Sequence, residues 1–321
     1  MKRVLVIKLG AMGDVVLAAP ALARIRAAHP EAEITVLTTP LYRDFLAASP
    51  YADKVETDGR PRGFRARMAL LARLRRARYD RVYDLQNSGS SRFFLYGLWP
   101  FPPRWSGVSW GASHRYVEPR GQRRHVLERQ AGQLQAAGIW PDAPTAPGSA
   151  PGPDLSWLMD TTRPDMRPEA FGLTEPYLLL IPGCSPHWPQ KRWPVDRYAA
   201  LARWAKARGM SVGVIGGAPE TALAQAIPDA VDLTAKTDFV HLAALGAQAA
   251  LAVGNDTGPT HLVAAAGAPT VALFSGVSDP ALSAPRGRVT ALRRERLEDL
   301  PIEAVTAAAT ALIGSGTTPL G

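Results

Sequence analysis

With one cysteine in 321 residues, Cys184, the chain has no second thiol for an internal disulfide and no cysteine set for a zinc site. Long apolar runs are also missing. The strongest, Phe93-Phe94-Leu95-Tyr96-Gly97-Leu98-Trp99, stops at Pro100, well short of the roughly 18 residues a membrane-spanning helix needs. The start, Met1-Lys2-Arg3-Val4-Leu5-Val6-Ile7, runs straight into Gly10 without a cleavable signal pattern. These absences predict a cytoplasmic protein. Lysine is scarce too, 6 residues against 31 arginines. What is present is ordinary for a globular chain: 46% hydrophobic and 20% charged residues, which excludes wholesale disorder. At roughly 100–200 residues per domain, the length predicts two domains.

The charge is unevenly placed. Residues 1–160 hold 23 Lys and Arg against 14 Asp and Glu, a net +9, whereas residues 161–321 hold 14 of each. Such asymmetry suits an anionic partner of the first half: nucleic acid, a membrane surface, or an acidic or phosphorylated substrate.

Periodicity organises each half. Residues 3–9 read as a buried strand, Gly10-Ala11-Met12-Gly13-Asp14 as a tight turn, and Val15, Ala19, Leu22 and Ile25 as a helix face. Pro20 should kink that helix or mark the start of its regular part. A strand at 33–38 completes a βαβ unit; an arginine-rich helix at 65–77 and a strand at 81–85 follow. Residues 141–176 contain 8 of the 29 prolines and read as a linker, in which Leu155-Ser156-Trp157-Leu158 is expected to pack. The alternation then restarts: strands at 177–181, 211–215, 249–253 and 270–274, and helices at 196–208, 219–226, 239–245, 257–266 and 302–313. The expected architecture is α/β, with parallel sheets in two lobes facing across a cleft.

Ligands of open α/β sheets sit at the carboxyl ends of the strands, which singles out 10–14, 181–194, 216–220 and 254–261. In Gly254-Asn255-Asp256-Thr257-Gly258-Pro259-Thr260-His261 a strand hands over to a helix whose first amides favour an anion, with Thr257 able to cap. Lys191-Arg192 stands in a loop where it could hold a diphosphate or simply be solvated; the neighbouring Trp188 and Trp193 would be costly to expose without purpose.

Lys8-Leu9-Gly10-Ala11-Met12-Gly13-Asp14-Val15-Val16, Lys191-Arg192-Trp193-Pro194 and Asp256-Thr257-Gly258-Pro259-Thr260-His261-Leu262 together resemble the family 9 glycosyltransferases, the lipopolysaccharide heptosyltransferases and their relatives. Residues 232–238 and 269–274 look like the same family's connecting segments, in the family's order. The resemblance implies the glycosyltransferase B fold: two Rossmann-like domains, acceptor on the first (1–160) and donor on the second (161–321). It implies an inverting transfer of a sugar, heptose above all, from an ADP-sugar to an anionic, lipid-linked lipopolysaccharide core, with no metal and no cofactor beyond the nucleotide sugar. Peripheral contact with the cytoplasmic face of the inner membrane is compatible with it; nucleic acid is not an expected partner.

By the same resemblance Asp14 is the catalytic base, although an aspartate in that turn can equally cap the helix. Lys191 lies near the departing diphosphate and would stabilise its growing charge. Asp256, Thr257, Gly258 and His261 match the donor-binding motif. Ser185 stands near the family's phosphate-contacting hydroxyls, though Pro186-His187-Trp188-Pro189 departs from the pattern. Glu220 stands where a family acid meets ribose hydroxyls. On the acceptor side Gly13, Arg60, Arg62 and Arg120 are candidates, the arginines for bidentate grip on carboxylate or phosphate. Residues 105–125, with Trp105, Trp110 and several arginines, read either as an acceptor face or as a solvated loop completing the core.

Other classes remain open on sequence alone. A nucleotide-sugar epimerase or a non-catalytic nucleotide-sugar binder would share the two-lobed fold. A dinucleotide oxidoreductase is disfavoured, since 10–14 lacks the third glycine of the fingerprint. A nucleic-acid binder would use the basic field, but no such module is visible.

Overall fold

The computed structural model describes residues 1–159 and 163–314. It divides into two compact units, Met1–Pro153 and Asp154–Gly321, the division falling inside the proline-rich window. The boundary expected between 160 and 161 lies outside the described residues.

The first unit carries β1 (Arg3–Ile7), β2 (Glu33–Leu37), β3 (Lys54–Glu56), β4 (Arg81–Asp84), β5 (Arg104–Gly107) and β6 (His114–Arg115) in the order β3-β2-β1-β4-β5-β6. The second carries β7 (Tyr177–Ile181), β8 (Ser211–Val214), β9 (Val231–Asp232), β10 (Leu251–Asn255), β11 (Thr270–Phe274) and β12 (Val289–Arg293) in the order β12-β11-β10-β7-β8-β9. Every pairing is parallel. Read from its other edge, the second sheet repeats the strand order of the first. Both are doubly wound, and the order reverses between β1 and β4 in one and between β7 and β10 in the other.

The central strands are apolar because helices cover both their faces. Leu5 and Ile7 pack with Leu70, Leu74 and Trp105. Leu178 and Leu180 pack with Trp193, Tyr198 and Val305. The first helical pattern is two pieces, Met12–Val16 and Ala19–Ala28, and Pro20 occupies the first turn of the second, where its missing N–H is harmless. The helix expected at 219–226 is shorter: Ala218–Glu220 is a 3-10 turn and Thr221–Gln225 the helix. The Glu220 carboxylate folds back onto the Gly217 N–H at 2.9 Å and holds that turn. Leu155 and Leu158 are buried, as the linker reading anticipated. Four helices among the described residues stood outside the sequence reading: Arg43–Ala47, Gly89–Gly97, Val126–Ala136 and Pro280–Ser283. No helix among the described residues is long and apolar enough to cross a membrane.

Candidate functional site

A parallel sheet opens a crevice where its strand order reverses, because the loops leaving the two central strands turn to opposite faces. Each unit has one such point, and most of the candidate residues gather at the two.

In the first unit the loop after β1 brings Lys8 and Asp14 together with residues 85–87, which follow β4. Gly10 makes the turn at φ +117°, where a side chain would also collide with the Tyr42 ring 2.7 Å away. The Leu9 N–H donates to Gln86 Oε1 (2.8 Å), tying the two loops. Lys8 is only 3% exposed and its Nζ donates to the Leu85 carbonyl (3.3 Å). Burial pulls its ammonium below the usual lysine range, against the fields of Asp14 and Asp84. Burial pushes the fully enclosed Asp84 carboxyl up to about 6, although it accepts from the Asn87 and Gln86 amides. Asn87 sits at φ +49° and binds three directions at once. Its Nδ2 donates to Gln133 Oε1 (2.7 Å), its Oδ1 accepts from the Val108 N–H (3.0 Å), and its own N–H reaches Asp84. Asp14 lies in the first turn of Met12–Val16, and its Oδ2 accepts from the Ala11 N–H at 3.3 Å, so the capping role is met. The same side chain also lines a cavity of about 210 Å³ with Lys8, Asn87, Tyr116, Arg129 and Gln130. A half-buried carboxylate beside a polar cavity can accept a proton from a bound hydroxyl.

In the second unit the loop after β7 meets the end of β10. Lys191 Nζ lies 2.6 Å from Asp256 Oδ2, and His261 Nε2 lies 3.6 Å from Asp256 Oδ1. Burial alone would raise the Asp256 carboxyl, but hydrogen bonds and charge from His261 and Lys191 outweigh it and hold it at about 2. The buried ring of His261 keeps its Nδ1 without a protein partner. Asn255, fully buried, fixes the loop: Oδ1 accepts from the Trp193 N–H (3.1 Å) and Tyr198 Oη (3.0 Å), and Nδ2 donates to the Pro182 carbonyl (2.8 Å). Glu220 packs so closely that a Cβ on Gly183 would come within 2.5 Å of it, and one on Gly216 within 2.6 Å. The loops after β7 and β8 therefore share Glu220 as their common wall. Gly258 and Thr257 open the helix Gly258–Ala265, but Thr257 makes no side-chain cap, contrary to the expectation for it. Its hydroxyl is not committed to the helix. Ser185 is exposed, in a turn closed by its carbonyl and the Trp188 N–H (2.9 Å).

The remaining candidates are dispersed. Gly13 is buried within Met12–Val16. Arg60 lines a separate cavity of about 500 Å³ with Arg67, Gly89, Ser90 and Phe93, not the one at Asp14. Arg62, which precedes the helix Gly63–Ala77, and Arg120 are exposed. The tryptophans divide. Trp193 is buried, its Nε1 donating to the Leu300 carbonyl (2.9 Å), so it belongs to the core and not to an exposed loop. Trp105 is core as well, whereas Trp110 is 75% exposed and Trp188 49%.

The sequence reading passed over Asn87, Asn255 and Gln130. Asn255 lay inside a quoted motif; Gln130 and Asn87 carried no local signal.

Comparison with known proteins agrees with the fold. The family model of glycosyltransferase family 9 (heptosyltransferase) matches residues 67–301. Lipopolysaccharide heptosyltransferase 2 of Escherichia coli K12 is 28% identical over 308 residues, 88% of this chain and 85% of its own length. The structure of the E. coli ADP-heptose lipopolysaccharide heptosyltransferase II superposes with a TM-score of 0.78 at 24% identity, covering 98% of this chain and 99% of that one. A family 9 glycosyltransferase from Veillonella parvula gives 0.80 at 21% identity, covering 98% and 97%. The two six-stranded parallel sheets are those of the glycosyltransferase B fold.

Proposed function

The chain belongs to glycosyltransferase family 9, and from that premise we propose that it moves a heptose or related sugar from an ADP-linked donor to an anionic lipopolysaccharide core. The observation that carries this reading is the chemistry at the two reversal points: a carboxylate beside a polar cavity in one unit, and a lysine held by an aspartate in the other. In the proposed step the acceptor hydroxyl gives its proton to Asp14. The hydroxyl oxygen forms a bond to the anomeric carbon from the face opposite the leaving group, inverting that centre. ADP departs with the bonding electron pair on its β-phosphate oxygen, and Lys191 stabilises the charge that a divalent metal would otherwise meet. His261, Gly258 and the uncommitted Thr257 hydroxyl are assigned to the diphosphate with Ser185, and Glu220 to the ribose. Arg60, Arg62 and Arg120 are assigned to the anionic groups of the acceptor. The reading places the enzyme in the cytoplasm, touching the inner membrane peripherally where the acceptor is anchored.

The test is an incubation of ADP-heptose with a heptose-deficient lipopolysaccharide core in the presence of a chelator. A new glycosidic bond of inverted configuration, seen by NMR and formed at the same rate without divalent metal, is the expected result. Conversion of the donor alone to a stereoisomer would make the protein an epimerase. A strict metal requirement would remove the role given to Lys191.

A further inference from the structure

We propose that the paired helices Gly63–Ala77 and Gly89–Gly97 of the first unit form a docking surface for a bilayer rich in anionic phospholipid. Phe64, Met68, Tyr96, Trp99 and Phe101 would enter the headgroup layer, and the arginines among them would meet the lipid phosphates. This rests on the reading that the acceptor is anchored in a membrane, and it names the face that meets that membrane.

The two helices lie side by side. A Cβ on Gly97 would come within 2.7 Å of Leu71, Arg75 donates to the Gly97 carbonyl (2.5 Å), and the Arg67 guanidinium stands 5.8 Å from the centre of the Phe93 ring. Phe64, Met68 and Leu71 recur at i, i+4 and i+7 and so share one flank of the first helix. Leu71 is buried against the second helix, but residues 62–69 are exposed throughout, and Phe64 keeps 76% of its surface. The apolar stripe therefore runs on past the core that it serves. At the other end Trp99 and Phe101, 62% and 90% exposed, follow the second helix and wall a cavity of about 420 Å³ with Leu74, Arg75 and Arg78. Single exposed apolar side chains are ordinary, but several along one helix pair mark a surface that meets something.

Charge identifies the partner. Residues 59–79 hold eight arginines and residues 85–117 three more, without one Asp or Glu in either stretch. Among the described residues only Arg73 of the eleven pairs with carboxylates, those of Glu56 and Asp58. Arg65, Arg76, Arg78 and Arg92 are exposed. A nucleic acid would stack successive bases on neighbouring rings. These rings stand instead at opposite ends of a helix roughly 22 Å long. A bilayer surface meets both ends at once: phosphates for the arginines, an apolar layer beneath for the rings and Met68, and the interfacial depth that Trp and Tyr favour. The cavity lined by Arg60, Arg67 and Phe93 belongs to the same helix pair, which sets an acceptor candidate beside the membrane face.

The test is sedimentation of the full-length protein, at physiological salt, with vesicles of phosphatidylcholine alone or mixed with phosphatidylglycerol. The wild type should bind the anionic vesicles at least about tenfold more tightly. Arg65→Glu with Arg76→Glu should lose about 25-fold, at roughly fivefold per arginine near an anionic surface. Phe64→Ser, Trp99→Ser and Phe101→Ser combined should lose about 100-fold, at roughly fivefold per half-buried ring. Lipids brominated on their acyl chains should quench the wild-type tryptophan fluorescence, and less so that of Trp99→Ser. All these side chains are exposed, so both sets should keep the thermal midpoint and the rate of transfer to a deacylated core in solution; either set serves if the other does not fold. Equal binding to the two kinds of vesicle, or binding within twofold of wild type in both sets, would overturn the proposal. So would unchanged quenching in Trp99→Ser, or tighter binding of a single-stranded oligonucleotide than of the anionic vesicles. Failure of the functional reading looks different. If the wild type binds anionic vesicles through these residues but transfers no sugar to the deacylated core, the activity falls and the docking face stands. If it transfers sugar and ignores the vesicles, the reverse holds.

Discussion

The two units share one strand order and yet build opposite kinds of site where that order reverses. In the second unit the charges are locked: Lys191, Asp256 and His261 are within ion-pair distance of one another through one carboxylate, which is held ionised down to about pH 2. In the first they are poised: burial drives Lys8 down and Asp84 up to about 6, and Asp14 faces a cavity beside them. The contrast follows from the tasks proposed. A diphosphate is charged before and after transfer, so fixed and preorganised groups suit it. In the proposed transfer the proton passes to Asp14, which faces a cavity beside the buried Lys8 and Asp84. The net charges differ in the same sense, +9 over residues 1–160 and zero over 161–321.

Substitutions can break this contrast from either side. The largest effect is expected at Asp14. Asp14→Asn keeps the shape and the amide contact but not the base, and kcat should fall about 10²–10⁴-fold in a transfer assay. Activity within a few-fold of wild type would leave Asp14 as a helix cap. Lys191→Ala should follow, slowing turnover about 10–100-fold, an effect that magnesium would not rescue.

Stability measurements sharpen the same comparison through pH. The Asp256 carboxyl is depressed, so its stabilisation is fully present above about pH 3.8 and disappears as pH falls through 2. Asp256→Asn should therefore unfold about 2 kcal/mol more easily at neutral pH, by the size of that shift, and match the wild type near pH 2. Asp84 has the opposite sign. Its raised carboxyl binds a proton better folded than unfolded, so its contribution to stability falls as pH rises from about 4 to about 6. The difference between wild type and Asp84→Asn, followed by denaturant unfolding, should drift across that window and be level on either side. A constant difference would show that Asp84 is not desolvated as the geometry indicates. The smallest effect concerns salt. Screening acts over about 8–10 Å at physiological ionic strength, so added salt should raise the acceptor KM more than the donor KM. Equal sensitivity would reduce the basic first half to composition.

The sequence made the fold legible where strands are buried on both faces. β1, β7, β10 and β11 are near-continuous apolar runs and fall within two residues of expectation. It was opaque at the sheet margins, where β3, β6 and β9 are two or three residues long, and at β12, whose alternating exposure leaves little apolar signal. The helix Val126–Ala136 was hidden for a more instructive reason. Its buried face holds Glu128, Gln130 and Gln133, so the apolar period is interrupted where the helix meets the cavity. Among site residues, Asp14, Lys191, Asp256 and His261 were visible as motif members. Asn87 and Asn255 were not singled out, since their work is to join segments distant in sequence, such as β4 to the helix at 126–136. Trp193 misled because a tryptophan in a basic loop looks exposed until the partner of its Nε1, the carbonyl of Leu300, is placed by the fold.

The division of roles between the two reversal points is tested most directly by ADP titration of three proteins. Calorimetry on the wild type, Asp14→Asn and Lys191→Ala without added metal should give the same Kd for the first two and a Kd about tenfold higher for the third, the size of one lost charge-assisted contact. A weakened Kd in Asp14→Asn, or an unchanged one in Lys191→Ala, would contradict the account.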